Sequence, residues 1–78
     1  MNPRVKFVNP TNNYQLMLEF TNGEWGVYDC KHLLNDGAYQ AWRDIDYFRQ
    51  VTVADGTLKW PQQQTINPDT LYLDSHKQ

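Results

Sequence analysis

Cysteine is almost missing from this chain: Cys30 stands alone among 78 residues. A lone thiol excludes an internal disulfide and any metal clip made of paired cysteines, and it suits a reducing compartment. A dominant charge is missing too. Seven Lys and Arg against nine Asp and Glu leave a net charge of -2. The basic residues Arg4, Lys6, Lys31, Arg43, Arg49, Lys59 and Lys77 are scattered, with no stripe to follow a phosphate backbone or an anionic lipid surface. Nowhere is there the run of about 18 apolar residues that a membrane-spanning helix needs. The opening Met1-Asn2-Pro3-Arg4-Val5-Lys6 carries no apolar stretch of the kind a secretory signal requires. The expectation is a soluble cytoplasmic protein without direct contact to nucleic acid or membrane. What the chain does have is rings: three Trp, five Tyr and three Phe. Large aromatics bury much area at little rotamer cost, and that suits a single folded domain, 1–78, close to the smallest size that needs no staples.

The stretch from Tyr14 to Asp29 organises the rest. Asn22-Gly23 is a strong hairpin signal, since a two-residue type I′ turn needs positive φ at both central positions. Such a turn predicts that Thr21 pairs with Glu24, Phe20 with Trp25, Leu18 with Val27 and Leu16 with Asp29, which makes one side of the ribbon apolar. The other side would carry Met17 against Tyr28 and Glu19 against Gly26. Arg4 to Asn9 alternates Val5 and Phe7 against Arg4 and Lys6, an edge-strand pattern with a basic outer side. A three-stranded meander follows.

Asp29 can cap a short helical segment from Cys30 to Asp36 that ends at Gly37, with Leu33 and Leu34 as its core residues. Ala38 to Arg43 places Tyr39 and Trp42 three apart, as in a helical turn or an irregular lid. Asp44 reads as the N-cap of Ile45 to Gln50, with Phe48 pointing inward. Val51 to Trp60 repeats the hairpin logic around Asp55-Gly56, pairing Ala54 with Thr57, Val53 with Leu58 and Val51 with Trp60. A last helix starts at Asn67-Pro68-Asp69, with Ile66 and Leu71 as a hydrophobic staple, and residues 74–78 read as a frayed tail. The fold class is α+β: a small antiparallel sheet of about five strands, formed by the meander and the second hairpin, with short helices on one side. Two halves of a small open barrel are the alternative.

Chemistry has little to build on. Cys30, His32, Asp29 and His76 do not make the spaced ligand set of a structural metal site. Cys30 and His32 stand two apart, a helical spacing that points the side chains away from each other. Asp44 and Asp46, Asp55 and Asp69 are explained by caps and turns. No phosphate loop, Ser-His-Asp set or dinucleotide fingerprint occurs, so no catalytic residue, metal or cofactor is expected. Trp25, Tyr28, Tyr39, Trp42, Tyr47, Trp60 and Tyr72 exceed what so small a core can enclose. Tyr39, Trp42, Arg43, Trp60 and Tyr72 are therefore candidates for contact with another protein, the alternative being that these rings simply cover the sheet.

Three segments carry a resemblance. Phe20-Thr-Asn-Gly-Glu24 followed by Tyr28-Asp29, then Arg43 to Val51 running on to Trp60-Pro61, and Pro68-Asp-Thr-Leu-Tyr72 are similar to the small bacterial family catalogued as domain of unknown function 2442. The chain departs from that pattern at Gln62-Gln63, where Asn-Gly is usual, at Thr65, where an Asp is usual, and at Trp42, where a Leu is usual. The resemblance implies a compact α+β domain without established catalysis. Its members stand alone or are joined to a helix-turn-helix segment, and some neighbour small toxin-like proteins. The expected role is a non-enzymatic protein-interaction module, antitoxin-like, acting as a monomer or homodimer with a protein partner. An accessory module of a transcriptional regulator is the alternative, and a hydrolytic enzyme a weaker one.

Overall fold

In the computed structural model, which describes residues 2–77, the meander forms as expected. Strands β1 (Val5–Pro10), β2 (Gln15–Phe20) and β3 (Trp25–Asp29) run antiparallel in that order, and a two-residue strand β7 (His76–Lys77) closes the β3 edge. The last segment is thus tied down. Within the segment expected to fray, Lys77 pairs with Gly26 and His76 with Val27, and Gln78 lies outside the described residues.

The hairpin register differs from the two-residue turn by one position. Phe20 N–H donates to Glu24 O at 2.9 Å and Gly23 N–H to Phe20 O at 2.9 Å, which leaves Thr21, Asn22 and Gly23 as a three-residue loop. Gly23 has φ +88 while Asn22 keeps negative φ. This is the bulged alternative, in which only the last loop residue must be left-handed. Asn22 Oδ1 stabilises it by accepting from Glu24 N–H at 3.0 Å. The partners become Glu19 with Trp25, Leu18 with Gly26, Met17 with Val27, Leu16 with Tyr28 and Gln15 with Asp29. Because side chains alternate with period two, one residue of slip moves Trp25 and Val27 to the face opposite Phe20 and Leu18. The expected single apolar side is therefore wrong: Leu16, Leu18, Phe20 and Tyr28 are buried, and Trp25 is exposed.

A second irregularity acts the same way in β1. Val5 pairs with Phe20 but Phe7 pairs with Glu19, so Lys6 is an extra residue and the strand bulges there. Val5 is buried and Phe7 is not, contrary to the alternation that would place both inward.

The second half builds its own sheet. Strands β4 (Thr52–Ala54), β5 (Thr57–Lys59) and β6 (Thr65–Ile66) lie in that order, with the expected pairs Ala54 with Thr57 and Val53 with Leu58. Asp55 at φ +53 and Gly56 at φ +78 form the two-residue turn that the first hairpin does not. Among the described residues there are thus two sheets, not one of about five strands. The reason is geometric: the hairpin meets β1 tip-first, through Val5 N–H donating to Gly56 O at 2.9 Å. A Cβ on Gly56 would stand 2.9 Å from Arg4 Cβ, so glycine permits that close approach.

Between the sheets run two 3₁₀ segments, Lys31–Asn35 and Gly37–Arg43, and helix α1 (Ile45–Phe48); helix α2 (Pro68–Asp74) follows β6. All but the first carry a side-chain cap. Asp36 accepts from Ala38 N–H, Asp44 from Asp46 N–H and Asn67 from Asp69 N–H, with Pro68 opening α2. Tyr39 sits at a kink in the second 3₁₀ segment (φ -116, ψ 20), three residues before Trp42, and the two rings lie 4.4 Å apart. Trp42 also contacts Phe48 and Trp60, at 5.5 and 4.3 Å between centroids. These three rings join Leu16, Leu18, Phe20, Leu58 and Leu71 in one buried cluster.

Candidate functional site

The register slip creates an outer face on the first sheet. Residues paired directly across antiparallel strands share a side, so Phe7, Glu19 and Trp25 stand in one row, Asn9, Met17 and Val27 in the next, and Gln15 with Asp29 in the third. Phe7, Met17 and Trp25 remain 49%, 40% and 39% exposed. Phe7 and Trp25 touch edge to face at 6.1 Å, over a Glu19 whose carboxylate lies 3.9 Å from Lys6 Nζ.

The third row opens into a cleft of about 280 Å³ lined by Gln15, Val27, Asp29, Asp74 and His76. Burial by itself would push the Asp29 carboxyl up, but the Lys31 backbone N–H and ammonium outweigh it and hold the group below its usual range. Those contacts are 2.9 Å to Oδ1 and 3.2 Å to Oδ2. Asp74 forms no ion pair among the described residues. It is the last residue of α2, where the carbonyl end of the helix adds to the negative potential.

The five residues expected at an interface do not come together. Trp42 and Trp60 are 0% and 1% exposed and belong to the core, which corrects their place among surface candidates. Burying their large rings is what allows two short sheets to share one interior. Tyr39 is half-buried over Trp42 and donates its hydroxyl to Thr65 O at 3.1 Å. Arg43 is exposed, with Nε donating to Leu34 O at 3.1 Å. Tyr72 lies elsewhere, edge-on to Phe20 at 5.0 Å and donating to Glu24 Oε1 at 2.5 Å. That hydrogen bond and one from Asn22 hold the Glu24 carboxyl below its ordinary value, and Lys77 Nζ covers the Tyr72 ring at 4.1 Å. Missing from the sequence-based set are Phe7, Met17, Trp25 and Val27. For Trp25 and Val27 the signal was the Thr21-Asn22-Gly23-Glu24 run, which also allows a three-residue loop.

The groups weighed for chemistry stand apart or are occupied. Cys30 is 0% exposed, and burial, with Asp29 nearby, pushes its thiol up to about 12, so it is not a thiolate near neutral pH. Its neighbour His32 packs its ring 6.1 Å from Tyr28. No cluster of His, Cys, Asp and Glu arranged to hold a metal ion occurs among the described residues. Nor is any helix among them long and apolar enough to cross a membrane.

Residues 5–77 match the family described as Protein of unknown function (DUF2442). The chain belongs to the DUF2442 family. Nearly the whole of the fold, from β1 to β7, lies within the matched segment, so the DUF2442 unit here includes the outer face and the cleft. Comparisons with curated proteins and with solved structures returned no match.

Proposed function

We propose that this DUF2442 chain is a non-enzymatic protein-interaction module that docks a partner protein on the outer face of β1 to β3, in the manner of an antitoxin holding a toxin-like protein. The observation that carries this reading is the exposure of Phe7, Trp25 and Met17, three large apolar side chains in two adjacent rows of one face. A sheet that buries one face and solvates the other ordinarily places polar residues outside. Contiguous apolar surface with an aromatic centre and a polar rim is what binding faces present, and Trp is foremost among the residues that dominate their energetics.

Affinity purification of the tagged chain from its native host, under gentle conditions, tests the proposal. The expected result is a stoichiometric protein partner, retained by the wild-type chain and lost by Phe7→Ser/Trp25→Ser. A wild-type chain that emerges only as a clean monomer or homodimer overturns it.

A further inference from the structure

We infer that the outer face receives a basic amphipathic segment of its partner protein, whose apolar residues cover Trp25 and Phe7 while a guanidinium or ammonium group enters the cleft between Asp29 and Asp74. This rests on the interaction reading above and adds the chemistry of the partner.

Three observations carry it. The apolar patch and the cleft are continuous, because Val27 sits beside Met17 in the patch and also walls the cleft. A segment lying along β3 therefore meets both within one strand length. The charge leaves one carboxylate over: Asp29 and Asp74 line the cleft together with His76, Lys31 engages Asp29, and Asp74 has no ion pair among the described residues. A carboxylate at a helix C-terminus is unfavourable against the helix dipole, and a bound cation would offset that. The third observation concerns size. Three strands of about five residues span roughly 15 by 17 Å, or about 250 Å² in projection. That is far below the about 800 Å² that each partner of a stable dimer contributes. It does match a single helix of about 10 Å diameter. The face thus favours a narrow segment anchored by charge over a second copy of the chain.

A phage-displayed library of random linear peptides, panned on the full chain, supplies probes, and the selected peptides are then titrated by Trp fluorescence at two salt concentrations. Selected peptides are expected to pair Arg or Lys with apolar residues and to bind less tightly as salt rises. They should lose about tenfold in affinity on Asp29→Asn/Asp74→Asn and bind undetectably to Trp25→Ser. Asp74→Asn alone, which breaks no ion pair among the described residues, should still weaken them several-fold and stands in if the double variant fails to fold. Peptides that need Trp25 but ignore both carboxylates would sink the basic-segment inference and leave the interaction reading in place. Peptides indifferent to Trp25, or a library that yields none, would overturn the inference. A concentration-dependent dimer in sedimentation, abolished by Trp25→Ser, would overturn it in favour of self-association.

Discussion

Phe7 and Trp25 meet edge to face on the solvent side of the sheet, although each is paired with the same residue, Glu19, from opposite flanks. Neighbouring strands are about 4.8 Å apart, so β1 and β3 stand about 9.6 Å apart. Centroids only 6.1 Å apart at 64° therefore mean that the rings lean inward over Glu19. The two side chains shield the stem of a charged residue and make one continuous apolar ridge.

Their exposure sets their energetic weight. Trp25→Ala should lower stability by about 1–2 kcal/mol, from partial burial and one aromatic pair. Phe20→Ala, which empties a fully buried site, should cost about 3–5 kcal/mol. Urea unfolding of the two variants is the measurement. Equal losses would mean that both rings are in the core and that the hairpin has the two-residue register after all.

Two buried tryptophans should respond differently to the same substitution. Trp60 Nε1 donates to Phe48 O at 2.8 Å, whereas Trp42 Nε1 finds no acceptor among the described residues. Trp60→Phe leaves a buried carbonyl unpaired in addition to the lost volume, and Trp42→Phe loses volume while removing an orphan donor. The Trp60 variant should be the less stable by about 1 kcal/mol or more. A larger loss at Trp42 would require an acceptor there.

Alkaline pH should unfold the chain through buried acids. Burial raises the Cys30 thiol from an ordinary 9.0 to about 12, and burial, with negative neighbours, raises the Tyr28 hydroxyl from 10.0 to about 12. Both protons leave the unfolded chain first. The associated stability is thus complete below about pH 9 and declines toward pH 12. Cys30→Ala should shallow that decline without abolishing it, since Tyr28 remains. At pH 8 a thiol reagent should label the folded chain only as fast as it unfolds; immediate labelling would contradict the burial.

Gly26 is the seat of the C-terminal strand. A Cβ there would lie 2.8 Å from Ser75 Oγ and 3.1 Å from Ser75 Cβ, and Ser75 is itself buried. Gly26→Ala should push β7 off β3 and accelerate amide exchange at the Val27 and His76 pair by more than tenfold, with β1 and β2 still protected. Unchanged exchange at that pair would show that the segment gives way without detaching.

Features that depend on neighbouring residues were legible in the sequence. Asp44, Asn67-Pro68-Asp69 and Asp55-Gly56 each bring their own chemistry, and the caps and the second turn form where that chemistry places them. The inward roles of Phe48 and Leu71 follow from those boundaries. What did not show was any feature set by counting loop residues. Asn22-Gly23 satisfies a two-residue turn and a bulged three-residue loop alike, and no local preference separates them. The separation into two sheets was also hidden, since it depends on how the Gly56 tip meets Arg4 and Val5. The site suffered most. Trp42 and Trp60 looked like surplus rings because the depth of a core between two sheets is not visible from spacing, and Phe7 looked internal because the bulge at Lys6 leaves no mark in the alternation.

The loop of Thr21, Asn22 and Gly23 makes inside and outside exchangeable in this domain. Removing one residue there would turn β3 over, sending Trp25 and Val27 toward the interior and Tyr28 toward water, with no strand residue altered. A change in length at a single bend could therefore create or erase the exposed apolar face in one genetic step.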